Sequence, residues 1–414
     1  MKTEKVTRRR FLKTGVLIGG TLTTSALSGL RQTSAADQQP SPPPPDPTKL
    51  QGRPASAYGE RTRFETLSRI TYPPDSSTPA ASFTPLQHLR GIVTPASLHY
   101  ERHHAGIPDI DPATHRLLIH GLVRNPLIFT TEEIRRFPSV SRLHFLECSG
   151  NGFTEWGKPS ANNVQVTHGL TSCSEWTGVR LSVLLQEVGY KPRASWIIAE
   201  GADGAAMTRS LPLSKCLDDV IVAYGQNGEA LRPEQGYPLR LIVPGWEGST
   251  HVKWLRRLKV VDKPYQTREE TAKYTDLMPN GSARQFTFVM EAKSVITFPA
   301  PGLQLSRPGF YEITGLAWSG RGKVKQVEVS LDGGLTWQTA ELQEPILPVC
   351  HTRFRLPWRW NGTEAILQSR CTDETGYVQP TRAQLTEIRG THSEYHLNAI
   401  HSWQVTSDGK IHNV

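Results

Sequence analysis

The pattern of apolar and polar positions divides the chain into two regions of different character. In residues 85–262, strand-like apolar runs such as residues 117–123 occur with a helix-like segment, residues 181–188, and with frequent glycine and proline breaks. This mixture is typical of an α+β domain whose loops can line a site. The first region is therefore predicted to be an α+β domain whose loops are suited to lining a site.

The second region follows a polar connector, residues 263–284, and has a different period. Residues 327–331 and 353–360 place apolar side chains at every second position, and an Asp-Gly-Gly turn at 332–334 closes the first of these runs. Alternation with period two, interrupted by glycine turns, indicates half-buried antiparallel strands. Residues 285–414 are therefore predicted to form a small immunoglobulin-like β-sandwich.

The N-terminal segment has the pattern of a twin-arginine export signal. Three arginines at 8–10 precede a weakly apolar run, residues 16–30, and small residues that end at Ala36. Such signals are processing segments and lie outside the fold. The run is shorter than the roughly 20 residues of a bilayer span. We expect cleavage after residue 36, a periplasmic protein with no membrane span, and a proline-rich tether over residues 37–84.

Charge and cysteine content limit the possible partners. The formal net charge is +9, of which residues 1–36 carry +6, and the remainder is too small to indicate nucleic-acid binding. The cysteines are Cys148, Cys173, Cys216, Cys350 and Cys371. No Cys-x-x-Cys-His motif occurs, so we expect no covalent haem on this chain and electron transfer to another protein. Cys350 and Cys371 could bridge two strands, although pairing cannot be read from sequence.

Cys148 lies between an apolar run and a glycine-bracketed turn, residues 149–152. Free cysteine is often a buried core residue, a thiolate is also a soft metal ligand, and an activated thiolate is a nucleophile. Taken alone, the stretch leaves three interpretations of Cys148 open. In decreasing order of preference they are a core residue, a metal ligand and a nucleophile.

Three further segments change that order: residues 100–112, residues 236–255, and residues 376–380 with 388–390 downstream. Together with the cysteine turn they resemble the sulfite oxidase family of molybdenum enzymes, in order and at fitting separations, across residues 85–405. The resemblance implies a sulfite-oxidase-type molybdopterin-binding domain followed by the sandwich. It also implies that Cys148 donates its thiolate to a molybdenum held by molybdopterin.

By the same resemblance, a set of residues matches the positions that hold the cofactor. They are Tyr100, Arg102, His104, Cys148, Asp203, Arg240, His251, Val252 and Lys253. Cations and N–H donors suit a phosphate, and a carboxylate can accept from pterin N–H groups. Taken singly, each cation would instead be a solvated surface charge, and His104 and His251 would be satisfied core histidines.

The resemblance further implies three catalytic residues besides Cys148. Tyr274 matches a tyrosine beside the metal, where a phenol can donate a hydrogen bond and help to move protons. Arg102 and Arg389 match arginines that face the substrate and favour oxyanion charge. The alternative for Tyr274 is a loop anchor.

Departures from the family pattern bear on the substrate. Gly152, Gln235 and Thr250 stand where sulfite oxidases commonly place arginine, histidine and arginine, so fewer cations are expected at the mouth. Residues 273–279 and 286–296 look most like the molybdenum subunit of sulfane dehydrogenases. That group oxidises sulfane sulfur on a carrier protein's cysteine and passes electrons to a c-type cytochrome.

Three hypotheses follow. The first is a periplasmic molybdenum oxidoreductase that oxidises carrier-bound sulfane sulfur during thiosulfate oxidation. The second, within the family, is a sulfite:cytochrome c oxidoreductase. The third is a cofactor-free exported interaction protein that uses the sandwich as its binding face. In the first two, the family's sandwich domain implies an oligomer.

Overall fold

The protein is described by a computed structural model, which covers residues 46, 51–74, 78, 80–157, 159 and 163–414. The chain divides into two units, Met1–Thr62 and Arg63–Val414, and all the elements below belong to the second. The predicted export signal lies outside the described residues. Residues 37–50 of the predicted tether, except residue 46, also lie outside them.

The first region is a mixture of short helices and three sheets. Its strands β1 to β13 are Ile70–Tyr72, Ala80–Phe83, Glu101–His103, Arg116–Gly121, Leu127–Thr130, Ser139–Glu147, Thr171–Arg180, Trp196–Gly201, Thr208–Pro212, Ile221–Gln226, Glu229–Ala230, Arg240–Ile242 and Leu255–Val261. Its helices α1 to α5 are Thr131–Arg136, Val164–His168, Leu181–Val188, Leu213–Asp218 and Arg268–Thr271. The strand orders are β1-β2-β3, β5-β4-β13-β8-β9 and β11-β10-β7-β6, with β12 paired to β10.

Helix α3 confirms the helix predicted from the apolar period. Leu181, Leu184, Leu185 and Val188 are buried on one face, at the spacing that a 3.6-residue period requires. The helix ends at Gly189, whose φ of 62° is left-handed, as glycine readily allows at this position. This face packs into the apolar core of the first region.

The second region begins with a two-stranded hairpin and continues as the predicted sandwich. Strands β14 to β24 are Asp276–Leu277, Ala283–Arg284, Lys293–Phe298, Gly309–Trp318, Val324–Ser330, Gln338–Thr339, Glu341–Gln343, Thr352–Trp360, Ala365–Asp373, Ser402–Val405 and Ile411–Asn413, and helix α6 is Arg382–Arg389. The two sandwich sheets have the orders β16-β17-β21-β20 and β19-β18-β22-β23-β24. Phe354, Leu356, Trp358 and Trp360 are all buried, which confirms the alternation.

The sandwich packs directly on the sheet that carries Cys148. Phe145 in β6 and Cys173 in β7 belong to the same apolar cluster as Val295 and Trp318 of the sandwich. The backbone N–H of Phe145 donates to the carbonyl of Val349, at 3.0 Å. The sandwich therefore supports the strand that ends at the cysteine turn.

Two sequence-based expectations concern cysteines and membranes. All five cysteines are buried and unpaired, so the bridge considered between Cys350 and Cys371 is absent. In the part of the chain that the structure describes, no helix is both long enough and apolar enough to span a bilayer.

Candidate active site

The cysteine turn is fixed by backbone and amide hydrogen bonds where β6 ends. Cys148 N–H donates to the carbonyl of Leu170 at 2.9 Å, and Asn151 N–H donates back to the carbonyl of Cys148 at 2.9 Å. The Asn151 Oδ1 atom accepts from Leu170 N–H at 3.0 Å. These bonds close a tight turn and hold the thiol at a defined position, with only 8% of the residue exposed.

An inner cavity opens on one side of the thiol. Its empty volume is about 650 Å³. The lining contains every residue that was predicted to hold the cofactor: Tyr100, Arg102, His104, Cys148, Asp203, Arg240, His251, Val252 and Lys253. Residues far apart in sequence therefore meet around one space, as the motifs implied.

The inner wall carries buried polar atoms that have no partner within the described part of the protein. Arg240 Nε and His99 Nε2 are buried and have no hydrogen-bond partner among the described residues. His99 Nδ1 donates to the Tyr100 carbonyl at 3.1 Å, so Nε2 of this neutral ring is an acceptor, whereas Arg240 Nε is a donor. Burial lowers the pKa of Arg240 to about 10, so its guanidinium is charged at neutral pH. The Asp203 carboxylate, which accepts from Met207 N–H at 3.0 Å, supplies an acceptor on the same wall. A phosphate and a hydrogen-bonding heterocycle fit this set of groups.

Lys253 lines the same wall with its ammonium already anchored. Its Nζ donates to the carbonyls of Arg102 and Glu234 at 3.2 and 3.0 Å, and to His103 Nδ1 at 2.7 Å. Burial is the main cause that lowers the pKa of Lys253. The side chain therefore ties β3 to the loop at 234 as well as lining the cavity.

Gly248 allows close approach to the cysteine. A Cβ atom at this position would lie 2.8 Å from the Tyr100 hydroxyl and 3.1 Å from Cys148 Cα. Any larger residue would push the turn away from the segment at 248, since real Cβ contacts are longer.

His251 forms part of the wall but does not offer a free ring nitrogen. Val243 N–H donates to its Nδ1 at 3.1 Å, so Nε2 carries the proton and donates to the Trp246 carbonyl, also at 3.1 Å. Burial lowers its pKa to about 3, which keeps the ring neutral. The satisfied-histidine alternative therefore describes His251.

An outer cavity opens on the other side of the thiol, with an empty volume of about 1090 Å³. Its lining consists of Tyr72, Pro73, Ala80, Ala81, Phe83, Arg102, His104, Cys148, Gly150, Phe153, Leu170, Lys273, Tyr274, Glu394 and Tyr395. Four of these residues, Arg102, His104, Cys148 and Tyr274, also line the inner cavity. The thiol therefore lies where the two cavities meet.

Tyr274 and His104 form a hydrogen-bonded pair at this junction. The Tyr274 hydroxyl lies 2.9 Å from His104 Nε2. Burial and then the charge of Arg102 lower the pKa of His104 to about 3, so the ring is neutral at pH 7. Burial also raises the pKa of Tyr274 well above its ordinary value, so the phenol keeps its proton. Tyr274 therefore holds its proton at the junction, and the hydrogen bond to His104 fixes the position of its hydroxyl.

Opposing effects act on the pKa of the Cys148 thiol. Burial raises the pKa of the thiol above its ordinary value, while the Arg102 charge and a hydrogen bond from Gly150 N–H oppose that rise. A metal that binds here displaces the proton, because thiolate is the ligand form. Arg102 and the Gly150 amide then favour the resulting negative charge.

Comparison with known proteins agrees with this geometry. The family model described as an oxidoreductase molybdopterin binding domain matches residues 104–269, and that of a Mo-co oxidoreductase dimerisation domain matches residues 284–403. A crystal structure of the sulfane dehydrogenase SoxCD from Paracoccus pantotrophus is similar at 47% identity and a TM-score of 0.85, over 89% of this chain and 99% of that chain.

The chain belongs to the sulfite oxidase family of molybdopterin-binding oxidoreductases.

Curated relatives in the family have longer chains. Mitochondrial sulfite oxidase of Mus musculus is 31% identical over 72% of this chain and 60% of its own length. Nitrate reductase [NAD(P)H] of Hordeum vulgare is 35% identical over 72% of this chain and 36% of its own length. The chain therefore spans less than two thirds of the length of these relatives.

Arg389 forms a buried ion pair. Its guanidinium pairs with the Asp276 carboxylate at 3.1 Å, and Ser393 Oγ donates to the same carboxylate at 2.6 Å. Arg389 is buried and lines neither of the two cavities. The buried Asp276 carboxylate holds the Arg389 charge on the hairpin β14–β15 side, and the substrate-facing role that the resemblance implies for Arg389 stays a prediction.

The three positions that lack the family's common cations do not line the mouth either. Gly152 is buried with a φ of 97°, and a Cβ atom there would lie 2.9 Å from Leu397. Gln235 lines the inner cavity, and Thr250 Oγ1 donates to the carbonyl of Glu247 at 2.7 Å. The expectation that position 152 faces the opening is therefore wrong, and an arginine there would be strained.

Several residues that shape the site carry no sequence signal. Arg209 is fully buried, donates to the Glu247 carboxylate at 2.7 Å, and lies 5.5 Å from the Tyr274 ring centre. The Tyr395 ring centre lies 5.2 Å from that of Tyr274. Phe153 at the mouth is half exposed. Each is an isolated residue in an unremarkable local pattern, so only the tertiary structure identifies it.

Proposed function

We propose that this chain is the molybdenum-bearing subunit of a sulfane dehydrogenase, which oxidises sulfane sulfur held on a carrier protein. The likeness to the sulfane dehydrogenase structure, 47% identical along nearly all of that chain, supports this choice within the family. The observation that carries it is the position of Cys148 at the junction of a polar inner cavity and an aromatic, partly exposed outer one.

The inner cavity would hold a molybdenum–molybdopterin cofactor. Arg240 would offer a buried donor to its anionic part, His99 Nε2 and Asp203 would offer acceptors to its N–H groups, and Cys148 would be the protein's ligand to the metal. When bound, this cofactor supplies two-electron redox chemistry and oxygen-atom transfer at sulfur. No haem is expected on this chain, so the electrons would leave to a partner.

Three residues at the junction have roles that follow from their own chemistry. The Arg102 guanidinium faces both cavities and would favour negative charge as it develops on an oxidised sulfur. Tyr274 keeps its proton at the junction, and its hydrogen bond with neutral His104 fixes the position of the hydroxyl. A phenol held in this way can donate a hydrogen bond to a reacting group during turnover.

The outer cavity supports a protein-borne substrate. Its wall includes five phenylalanine and tyrosine residues, Tyr72, Phe83, Phe153, Tyr274 and Tyr395. Tyr72 and Phe153 are 61% and 47% exposed. Exposed apolar residues around an opening are typical of a surface that receives another protein. A free dianion gains nothing from such a rim, whereas a carrier whose cysteine arm enters the cavity would bury it.

Oxidation of free sulfite with a c-type cytochrome as acceptor is the second candidate. Arg102 at the junction can bind a small oxyanion directly, and a relative with 31% identity is named sulfite oxidase. The two candidates differ in what the aromatic rim is for.

The partners and location of the first candidate follow the same reasoning. We propose a c-type cytochrome as electron acceptor, periplasmic location through the twin-arginine signal, and self-association through the sandwich, which matches a dimerisation-domain model. Cell fractionation that found the protein in the cytoplasm would contradict the proposed location.

The decisive experiment compares substrates on purified holoenzyme. Molybdenum and pterin would first be quantified, and cytochrome reduction would then be followed with free sulfite and with persulfide-loaded carrier. Higher kcat/KM with the loaded carrier is expected. Preference for free sulfite would replace the first candidate with the second, and absence of molybdenum would contradict both.

A further inference from the structure

Glu147 lies immediately before Cys148 and is fully buried. Both oxygens of its carboxylate accept hydrogen bonds. Its Oε1 accepts from Lys293 Nζ at 3.0 Å and from Asn151 Nδ2 at 2.9 Å. Its Oε2 accepts from Trp318 Nε1 at 2.7 Å. Two of these three donors, Lys293 and Trp318, belong to the sandwich rather than to the domain that carries the cysteine.

Lys293 contacts both ends of the cysteine turn. Besides the Glu147 carboxylate, its ammonium donates to the backbone carbonyl of Asn151 at 3.1 Å. Asn151 N–H in turn donates to the carbonyl of Cys148 at 2.9 Å. One buried cation therefore joins the residue before the thiol to the residue that closes the turn.

A buried ion pair of this kind is costly to desolvate and is poorly explained by stability alone. Replacing such pairs by apolar residues is often neutral or stabilising, whereas removing one partner leaves an uncompensated charge. The pair is best explained by the specific arrangement that it enforces. Here that arrangement is the position of the Cys148 thiol between the two cavities.

We infer that Lys293, assisted by Trp318, is a positioning residue through which the sandwich domain fixes the geometry of the Cys148 turn. The inference rests on the proposed role of Cys148 as the molybdenum ligand. Without the ammonium, Glu147 and the Asn151 carbonyl lose their common donor, and the turn relaxes. The Cys148 thiol, which would be the ligand to the metal, would then move relative to the two cavities, although none of its own atoms has been changed.

The test uses Lys293→Met in the purified holoenzyme, which keeps the length of the side chain and removes its charge. We expect molybdenum to be retained, the electron paramagnetic resonance spectrum of the Mo(V) state to shift, and kcat to fall about tenfold or more with little change in KM. In cofactor-free protein, amide hydrogen exchange at residues 148–151 should accelerate.

Two further variants make the test decisive. Ser294→Ala is the matched control. Ser294 follows Lys293 in β16 and faces the other way, and its substitution removes buried hydrogen bonds to Gln379 and Ser369 at 2.7 and 2.9 Å. Trp318→Phe removes one donor to Glu147 but keeps the ion pair, and it replaces Lys293→Met if that variant does not fold. It should shift the same spectrum by a smaller amount.

The inference is overturned if Lys293→Met, or Trp318→Phe in its place, gives the same spectrum, kcat and exchange rates as Ser294→Ala. Wild-type protein that contains no molybdenum would instead contradict the proposed function, and the exchange measurement would still decide whether Lys293 fixes the turn.

Discussion

The inner and outer cavities share four residues but differ in nearly every other respect. The inner wall consists largely of buried polar groups that are held by the protein itself, such as Lys253 with three acceptors and His251 with both ring nitrogens bonded. The outer wall is aromatic and opens to solvent at Tyr72 and Phe153. Charged groups held in fixed positions suit a permanently bound cofactor. Exposed aromatic residues around an opening suit a protein that binds transiently.

The difference also has an energetic side. The buried cations Arg240 and Lys253 of the inner wall are tolerable because backbone carbonyls accept from both of them, whereas Arg240 Nε stays unpaired and available to a ligand. The exposed aromatics of the outer rim gain burial only when a partner covers them. Changes in the inner wall should therefore affect metal chemistry with every substrate, and changes in the rim should affect one substrate class.

The largest effect is expected at the residue where the two cavities meet. Cys148→Ser should keep the fold and much of the pterin but abolish turnover with all substrates, because a hydroxyl is a harder and less acidic ligand than a thiol. Circular dichroism and steady-state cytochrome reduction would measure both properties. Cys216→Ala, which removes another buried thiol, should retain turnover. Near wild-type turnover in Cys148→Ser would contradict the assignment of Cys148 as the metal ligand.

The next effect concerns Tyr274 and His104, the hydrogen-bonded pair at the junction of the two cavities. Tyr274→Phe removes the hydroxyl that bonds His104, and kcat should fall about 100-fold with either substrate while KM changes little. Kinetics with free sulfite and loaded carrier would test this. An unchanged kcat would support the alternative in which Tyr274 only anchors its loop.

A smaller and more selective effect is expected at the rim. Phe153→Ala should raise KM for the loaded carrier about fivefold, which corresponds to about 1 kcal/mol of lost contact, and leave KM for sulfite unchanged. Phe310→Ala, at an exposed phenylalanine of the sandwich strand β17, is the matched control. Equal changes for both substrates would mean that the rim does not receive a protein.

The smallest effect is a pH dependence of stability in the inner wall. Because burial lowers the pKa of His251 to about 3 from the ordinary 6.5, the unfolded chain binds more protons below pH 6.5. The unfolding free energy should therefore fall as the pH drops from 6.5 toward 3, by up to about 1.4 kcal/mol per pH unit for this one group.

Urea denaturation of cofactor-free protein between pH 7 and pH 5 would measure this slope. His251→Gln should show a slope that is smaller by about one proton, whereas a variant of the exposed His392 should match wild type. Identical slopes in all three proteins would contradict the assignment of His251 as a buried neutral ring.

The same comparison explains which parts could be predicted from sequence. The inner residues lie in a few short segments with recognisable order, so a resemblance places them together without knowledge of the fold. Local periodicity likewise predicted helix α3 and strand β21. The outer wall depends on single residues such as Phe153 and Tyr395, which only tertiary packing brings to one opening.

The features that the sequence could not predict depend on tertiary contacts or on a special backbone conformation. The pairing of Arg389 with Asp276 joins residues 113 positions apart, and no local pattern signals it. The direction of a side chain at Gly152 depends on a left-handed φ that the sequence does not specify. Lys293 begins a strand that contains no other charged residue, and its buried partner Glu147 could be identified only from the structure.

The most direct test of the account is X-ray absorption at the molybdenum edge of wild-type holoenzyme and Cys148→Ser. The wild-type spectrum should require sulfur scatterers from the pterin together with one from the protein, and the variant should lose one sulfur scatterer while it keeps the metal. The same sulfur count in both proteins, or no molybdenum in the wild type, would contradict the claim that Cys148 joins the cofactor cavity to the substrate cavity through the metal.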